Sequence, residues 1–171
     1  MTENWKPVVG FEELYEVSDQ GNVRSLDREV LVERQYGPVV RKHKGRELKL
    51  ITNPSGHLKV NLWRDGQMFT RYVHRLVLEA FRGTCPDGHE CCHWDDNPAN
   101  NRLENLRWDS SSANRIDSVR NGTHNMANKT HCPKGHEFDV ENTYIGPDGW
   151  RRCRECRRAQ DRTYYARKVA S

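Results

Sequence analysis

Two groups of side chains in this sequence have types and spacing that can do chemistry. The first lies in the stretch from Cys91 to Trp108, with Asn114 shortly after it. His93 ends a short run, a loop rich in Asp, Asn and Pro follows, and a second run returns through Leu106 and Trp108. An imidazole with an ordinary pKa is largely neutral at physiological pH and can take a proton from water, so His93 is a candidate general base. The second group is Cys132, His136, Cys153 and Cys156, in the spacing C-x3-H-x16-C-x2-C. Two short knuckles of thiolate and imidazole suit tetrahedral zinc. The region around them is poor in apolar residues and needs such a staple to fold. His131 sits directly beside Cys132, which spoils the knuckle, so it is left out. A second metal site from Cys85, His89, Cys91 and Cys92 is disfavoured, because alternation along a strand sends residues 91 and 92 to opposite faces.

The elements that must position these residues follow from pattern. His89–His93 is too short for a helix and pairs with Leu106-Arg107-Trp108 as a strand. Asp109 or Ser110 then caps a helix through about Asn121, with Ala113, Ile116 and Val119 as its expected buried side. Strand, loop, strand and helix form a ββα unit that sets a histidine opposite an asparagine from the first turns of the helix.

Upstream, Leu14–Ser18 and Asn22–Leu26 flank a turn at Asp19-Gln20-Gly21 and read as a hairpin. Residues 29–45 read as a polar, basic loop. Residues 46–73 read as a β-meander with Leu58, Val60 and Leu62 facing in, Lys59 on the open face, and a tight turn at Asp65-Gly66. His74–Arg82 switches to helical period, and His74 is read as structural. Downstream, a polar linker over 125–130 leads to a small hairpin between the zinc knuckles and a basic helix over 157–168. The expected modules are 1–73, β-rich and contacting nucleic acid; 74–122, the ββα unit; and 123–171, the zinc module with its basic helix. The fold class is α+β: a small antiparallel N-terminal sheet, the ββα unit and a zinc-ribbon-like module.

Composition agrees with small modules. Of the 171 residues, 35% are apolar and 30% charged, which is thin for one large core. No apolar run is long enough to span a bilayer, and the opening Met-Thr-Glu-Asn-Trp-Lys lacks the pattern of a secretory signal. The expectation is a soluble, cytoplasmic protein, in the host cytoplasm if phage-encoded. Six cysteines in that setting suggest metal ligation over disulfides. The net charge is only +4, but Arg151–Lys168 holds eight cations and two acids, an excess that points to a polyanion partner.

The stretch Cys92-His93 … Asn105-Leu106-Arg107-Trp108 … Asn114 resembles the HNH endonuclease motif on its ββα-metal (His-Me finger) fold. Trp5-Lys6-Pro7 … Gly10-Phe11 … Tyr15-Glu16-Val17-Ser18 … Gly21-Asn22-Val23-Arg24-Ser25 is similar to the nuclease-associated module that precedes HNH units in phage homing endonucleases. The resemblance covers roughly residues 5–122, and the Cys/His tail is like zinc modules appended to many such proteins. It implies His93 as base, Asn105 as a brace of loop and strand, and Asn114 as ligand of a catalytic Mg²⁺ or Mn²⁺. Relatives often carry Asp before the histidine as second ligand; here Cys92 takes that place, and some ligation from it is expected even though a thiol suits Mg²⁺ poorly. The implied substrate is double-stranded DNA, cut by a homing or nicking endonuclease acting as a monomer, with a dimer not excluded. Expected DNA contacts are Arg24, Lys59, Arg102, Arg107, Arg154, Arg157 and Arg158. The competing reading is a zinc-containing DNA-binding or packaging accessory protein whose HNH site is degenerate.

Overall fold

The computed structural model describes residues 2–169. It divides into two compact units, Met1–Asn121 and Gly122–Ser171.

The first unit begins with a three-stranded antiparallel sheet of β1 (Trp5–Pro7), β2 (Tyr15–Ser18) and β3 (Val23–Ser25), in the order 1-2-3. The β2–β3 turn is built by Ser18, whose Oγ accepts from the backbone N–H groups of Gln20 (3.2 Å) and Asn22 (3.0 Å). A second sheet holds β6 (Ile51–Thr52), β7 (Leu58–Arg64) and β8 (Gln67–Tyr72), in the order 6-7-8. Asp65 and Gly66 both adopt positive φ between β7 and β8, as a two-residue turn of matching twist requires. Val60 and Leu62 point inward as alternation demands. Tyr15 ties the two sheets together: its hydroxyl accepts from Trp63 N–H (2.9 Å) and lies 3.2 Å from Trp63 C=O.

The expected loop over 29–45 is instead a hairpin of β4 (Arg28–Val32) and β5 (Val39–His43). Val30, Leu31, Val39 and Val40 supply β-branched or apolar strand formers, yet all four are exposed. The hairpin has no buried face, so no clean alternation marked it.

Helix α1 (Val73–Arg82) follows β8 directly. Its Val73, Leu76, Val77 and Leu78 join Val8, Val17, Val60, Leu62 and Leu106 in one core. The boundary expected between residues 73 and 74 is therefore absent from the packing: α1 belongs to the core of the sheets before it and the hairpin after it. That hairpin is β9 (His89–His93) paired antiparallel with β10 (Leu106–Ser110), with Leu106 opposite His93 and Arg107 opposite Cys92. Helix α2 (Ser111–Arg120) starts at Ser110, whose Oγ accepts from Ala113 N–H at 3.2 Å.

The side of α2 that packs inward differs from expectation. Ile116 is 68% exposed and Val119 51%, while Asp117 is only 4% exposed. The reason lies in the face α2 meets. Glu90, Cys92, Arg107 and Asp109 share one side of the β9–β10 hairpin by register. The helix answers that polar face with Asn114 and Asp117.

In the second unit β11 (Thr143–Ile145) and β12 (Arg151–Cys153) form a hairpin, and α3 (Arg154–Val169) follows without a break. The basic helix starts three residues earlier than its charge pattern suggested, because Cys153 closes the strand and Cys156 lies in the first turn of α3.

Candidate active site and metal cluster

His93 stands at the end of β9, largely buried. The loop after it is held by its own polar side chains. Asp95 Oδ1 accepts from Asn97 N–H (2.9 Å) and from Asn105 Nδ2 (2.9 Å), and its Oδ2 from Asn100 Nδ2 (2.7 Å). Asn105 Nδ2 also reaches Asn100 C=O (2.9 Å), and its Oδ1 accepts from Asp95 N–H at 3.2 Å. Asn105 thus sits where loop and strand meet. Burial opposes ionisation of Asp95, but the hydrogen bonds from Asn100, Asn97 and Asn105 outweigh it and hold the carboxyl below its ordinary range.

The partner of the His93 ring is Asn101. Its Oδ1 lies 3.3 Å from Nε2, buried, and its Nδ2 is turned toward Ala99 C=O at 3.4 Å. With the amide oriented this way, Oδ1 faces the ring and Nε2–H donates to it. The proton is then on Nε2, and Nδ1 carries the lone pair. Burial is the main influence that lowers the His93 pKa; the Asn101 bond pulls the other way, and His57 adds to the lowering. The ring is neutral at physiological pH.

Two more histidines complete the surroundings. The rings of His57 and His74 lie 5.9 Å and 5.4 Å from that of His93, and 5.2 Å from each other. His74 stacks on Tyr72 with the planes 7° apart. Burial, together with the charges that His93, His57 and Arg75 would present, pushes its pKa down to about 3.

On the opposite side of the hairpin, Asn114 Nδ2 donates to Glu90 Oε1 at 3.0 Å, and Ser111 Oγ donates to Glu90 Oε2 at 3.3 Å. An amide and a carboxylate are hard donors that fit Mg²⁺ or Mn²⁺. Cys92 does not fit, contrary to expectation. Its side chain is 1% exposed, its thiol is pushed up to about 11, chiefly by burial, and Sγ lies against the carbonyls of Glu90 (3.7 Å) and Asp109 (4.0 Å). It is a buried thiol, and thiols of this kind ligate only as thiolates.

Two of the expected DNA contacts have partners within the protein. The Arg107 guanidinium bridges Asp109 (2.8 Å) and Asp117 and lies 3.5 Å from the Trp94 ring centroid. Arg24 is bound to Glu16 by Nε (2.8 Å) and Nη2 (2.6 Å) and lies over Trp5. Both cations are engaged within the protein. Arg102 pairs with Glu104 at 2.9 Å at the surface, and Lys59 lies half-buried on β7. In the second unit Arg154 donates to Thr143 C=O (3.1 Å), Arg154 and Arg157 pack over Tyr144, and Arg158 is exposed.

Cys132, His136, Cys153 and Cys156 come together as their spacing required, with one donor atom from each within 4.8 Å of the others. The imidazole presents Nδ1, at 3.3 Å from Cys156 Sγ, 3.5 Å from Cys132 Sγ and 3.6 Å from Cys153 Sγ. Among the described residues this is the one His/Cys/Asp/Glu cluster with that geometry. His131 is exposed and bonded to Thr130.

Sequence reading missed Asn101, His57 and Glu90. Asn101 is one of several asparagines in its loop and bears no mark of its own. His57 lies 36 residues upstream of His93. Glu90 carries no mark in the motif, and only strand alternation places it on the same face as Cys92, toward α2.

A histidine at the end of a β-hairpin, an asparagine-braced loop and a following helix that carries Asn114 are the parts of an HNH nuclease unit. The sequence matches the NUMOD4 motif over residues 3–63 and the HNH endonuclease family over residues 71–116. Together these matches support a phage-type HNH homing endonuclease that acts as a DNA endonuclease. It is 29% identical to DNA endonuclease I-HmuI of Bacillus phage SP01 over 149 residues, 85% of this chain and 74% of that one. An uncharacterized HNH endonuclease, L245, of Acanthamoeba polyphaga mimivirus is 26% identical over 145 residues, covering 85% of this chain and 37% of the relative. The solved structure titled "DNA binding and cleavage by the HNH homing endonuclease I-HmuI" superimposes with a TM-score of 0.57 at 28% identity, covering 87% of this chain and 76% of that one. The non-catalytic reading is not favoured by these matches. Enzymes of the HNH family use divalent metals. No helix among the described residues is long and apolar enough to cross a membrane.

Proposed function

We propose that the chain hydrolyses phosphodiester bonds of double-stranded DNA with His93 as general base and a divalent cation, Mg²⁺ or Mn²⁺, that has Asn114 among its ligands. The observation that carries this reading is the His93 ring itself, buried, neutral and presenting Nδ1. Nδ1 takes a proton from the attacking water. The cation, when bound, neutralises charge on the phosphate and on the departing 3′ oxygen. Cleavage leaves 5′-phosphate and 3′-hydroxyl ends. One site per chain cuts one strand per encounter, so a monomer nicks. Zn²⁺ in the Cys132–His136–Cys153–Cys156 cluster holds the second unit together, and Arg154, Arg157 and Arg158 beside it contact the DNA backbone.

A plasmid-nicking assay titrated with Mn²⁺ tests the site. His93→Ala should lose at least about 100-fold in rate, the usual worth of a general base, with DNA binding kept. Asn114→Ala should raise the Mn²⁺ concentration needed for half-maximal nicking. Wild-type rates from His93→Ala would sink the base assignment, and an unchanged Mn²⁺ dependence in Asn114→Ala would remove Asn114 from the ligand set.

A further inference from the structure

The loop that carries the active site rests on the turns of the two sheets before it at three places. Leu103 N–H donates to Asp19 C=O at 2.9 Å. Gly21, with φ +86°, leaves room for Asn101: a β-carbon there would stand 2.9 Å from Asn101 Cβ and 3.0 Å from its carbonyl oxygen. Gly56, with φ +85°, does the same for Pro98, whose Cγ would be 2.8 Å away. The residue seated against Gly21 is the residue whose Oδ1 meets His93 Nε2.

We infer that Asn101, seated by Gly21 of the N-terminal sheet, is the positioning residue of His93, so that the NUMOD4 portion of the chain is part of the catalytic apparatus as well as an attachment to it. The inference rests on His93 being the base. Neutral imidazole has two tautomers, and only the one with its proton on Nε2 leaves Nδ1 free to accept from water. A buried acceptor at Nε2 selects that tautomer and fixes the ring, and a base must be within hydrogen-bond reach of the proton it takes. Asn101 can do this only while its own amide stays turned, which Ala99 C=O secures, and while its backbone stays where Gly21 allows. Asn105, which the motif singles out, bonds Asp95 and Asn100 and makes no bond to the histidine ring.

The test uses the full chain and two readouts: the ¹⁵N shifts of the His93 ring, which report the tautomer, and single-turnover cleavage measured beside DNA affinity. Asn101→Leu should replace the pure Nε2–H signature by a tautomer mixture and lower the cleavage rate about 10- to 100-fold, part of the span a general base supplies, with Kd for DNA within about twofold, the scatter expected when no binding contact is lost. Asn101→Asp keeps the acceptor and should restore the Nε2–H signature. Gly21→Ala, which disturbs the seat and also strains the turn at φ +86°, should move both readouts the way Asn101→Leu does; where it is too unstable to purify, the Asn101 pair decides. An Asn101→Leu protein with wild-type tautomer and rate overturns the inference, and so does one that loses DNA affinity in step with rate. Failure of the base assignment looks different: His93→Ala would then still cut, whatever Asn101 does.

Discussion

At the residue scale the site is governed by which imidazoles stay uncharged. His74 is buried between His57, His93 and Tyr72, and its Nδ1 has no hydrogen-bond partner. Its pKa falls from an ordinary 6.5 to about 3 in the fold. The folded state therefore binds fewer protons than the unfolded chain between those values. Stability from this residue is complete above about pH 6.5 and is lost as pH falls toward 3, at about 1.4 kcal/mol per pH unit. The melting temperature should drop between pH 6.5 and 4, and His74→Phe should flatten that part of the profile. An equal slope in the variant would assign the acid sensitivity elsewhere. His93 shifts in the same direction, so the acid limb of the cleavage profile should lie below 6.5. The hairpin and helix that carry His93, Asn105 and Asn114 were legible in the sequence because their spacing is that of a family. Asn101 and His57 were not, because their relation to His93 exists only after the N-terminal sheet and the loop have met.

At the scale of elements, α2 is fastened to its hairpin by charge. Arg107 from β10 reaches Asp117, buried on the helix, and Arg120 shares the same carboxylate at 2.8 Å. Arg107→Ala leaves a buried carboxylate with one partner fewer. Breaking a buried pair from one side costs about 3 kcal/mol or more, which for a chain of this size lowers the melting temperature by roughly 6–12 °C. A thermal melt of Arg107→Ala within a degree of wild type would show that Arg120 alone suffices. This attachment also explains why the buried face of α2 was misread. The rule that apolar residues mark the inner side assumes an apolar partner surface, and the hairpin offers Glu90, Arg107 and Asp109. The strands and turns around Gly21, Asp65-Gly66 and Gly149 were readable because turn chemistry is local. The exposed hairpin over 28–43 was not, since nothing in its pattern told an inner face from an outer one.

At the scale of the whole molecule the two compact units have different means of cohesion. The first has the apolar core that runs from Val8 to Leu106. The second contributes few buried apolar residues and has the Cys/His cluster, so that on the proposed zinc reading metal binding and folding are a single equilibrium. Metal analysis of the purified chain should find about one zinc per chain, as a single tetrahedral site holds one ion. A strong chelator, or the pair Cys153→Ser and Cys156→Ser, should melt the second unit while the histidine resonances of the first remain dispersed. Loss of structure in both units together would show that they fold as one. The grouping of Cys132, His136, Cys153 and Cys156 was readable because they are rare residue types at fixed spacing. The merging of the first two modules was not, because α1 carries apolar residues to both neighbours at once and sequence alone does not say how many surfaces a helix covers.

The two glycines under the catalytic loop bear on how such nucleases exchange parts. Gly21 and Gly56 belong to the N-terminal portion, yet what they make room for, Asn101 and Pro98, belongs to the portion that cuts. A recombination event that traded residues 3–63 for a relative's segment would import new floor beneath the loop. Any segment with a β-carbon at either contact would lift the loop from its seat, and the hybrid would hold its DNA yet cut slowly. Successful shuffling therefore has to move the two glycines with the loop they support, so that the unit of inheritance is larger than either motif.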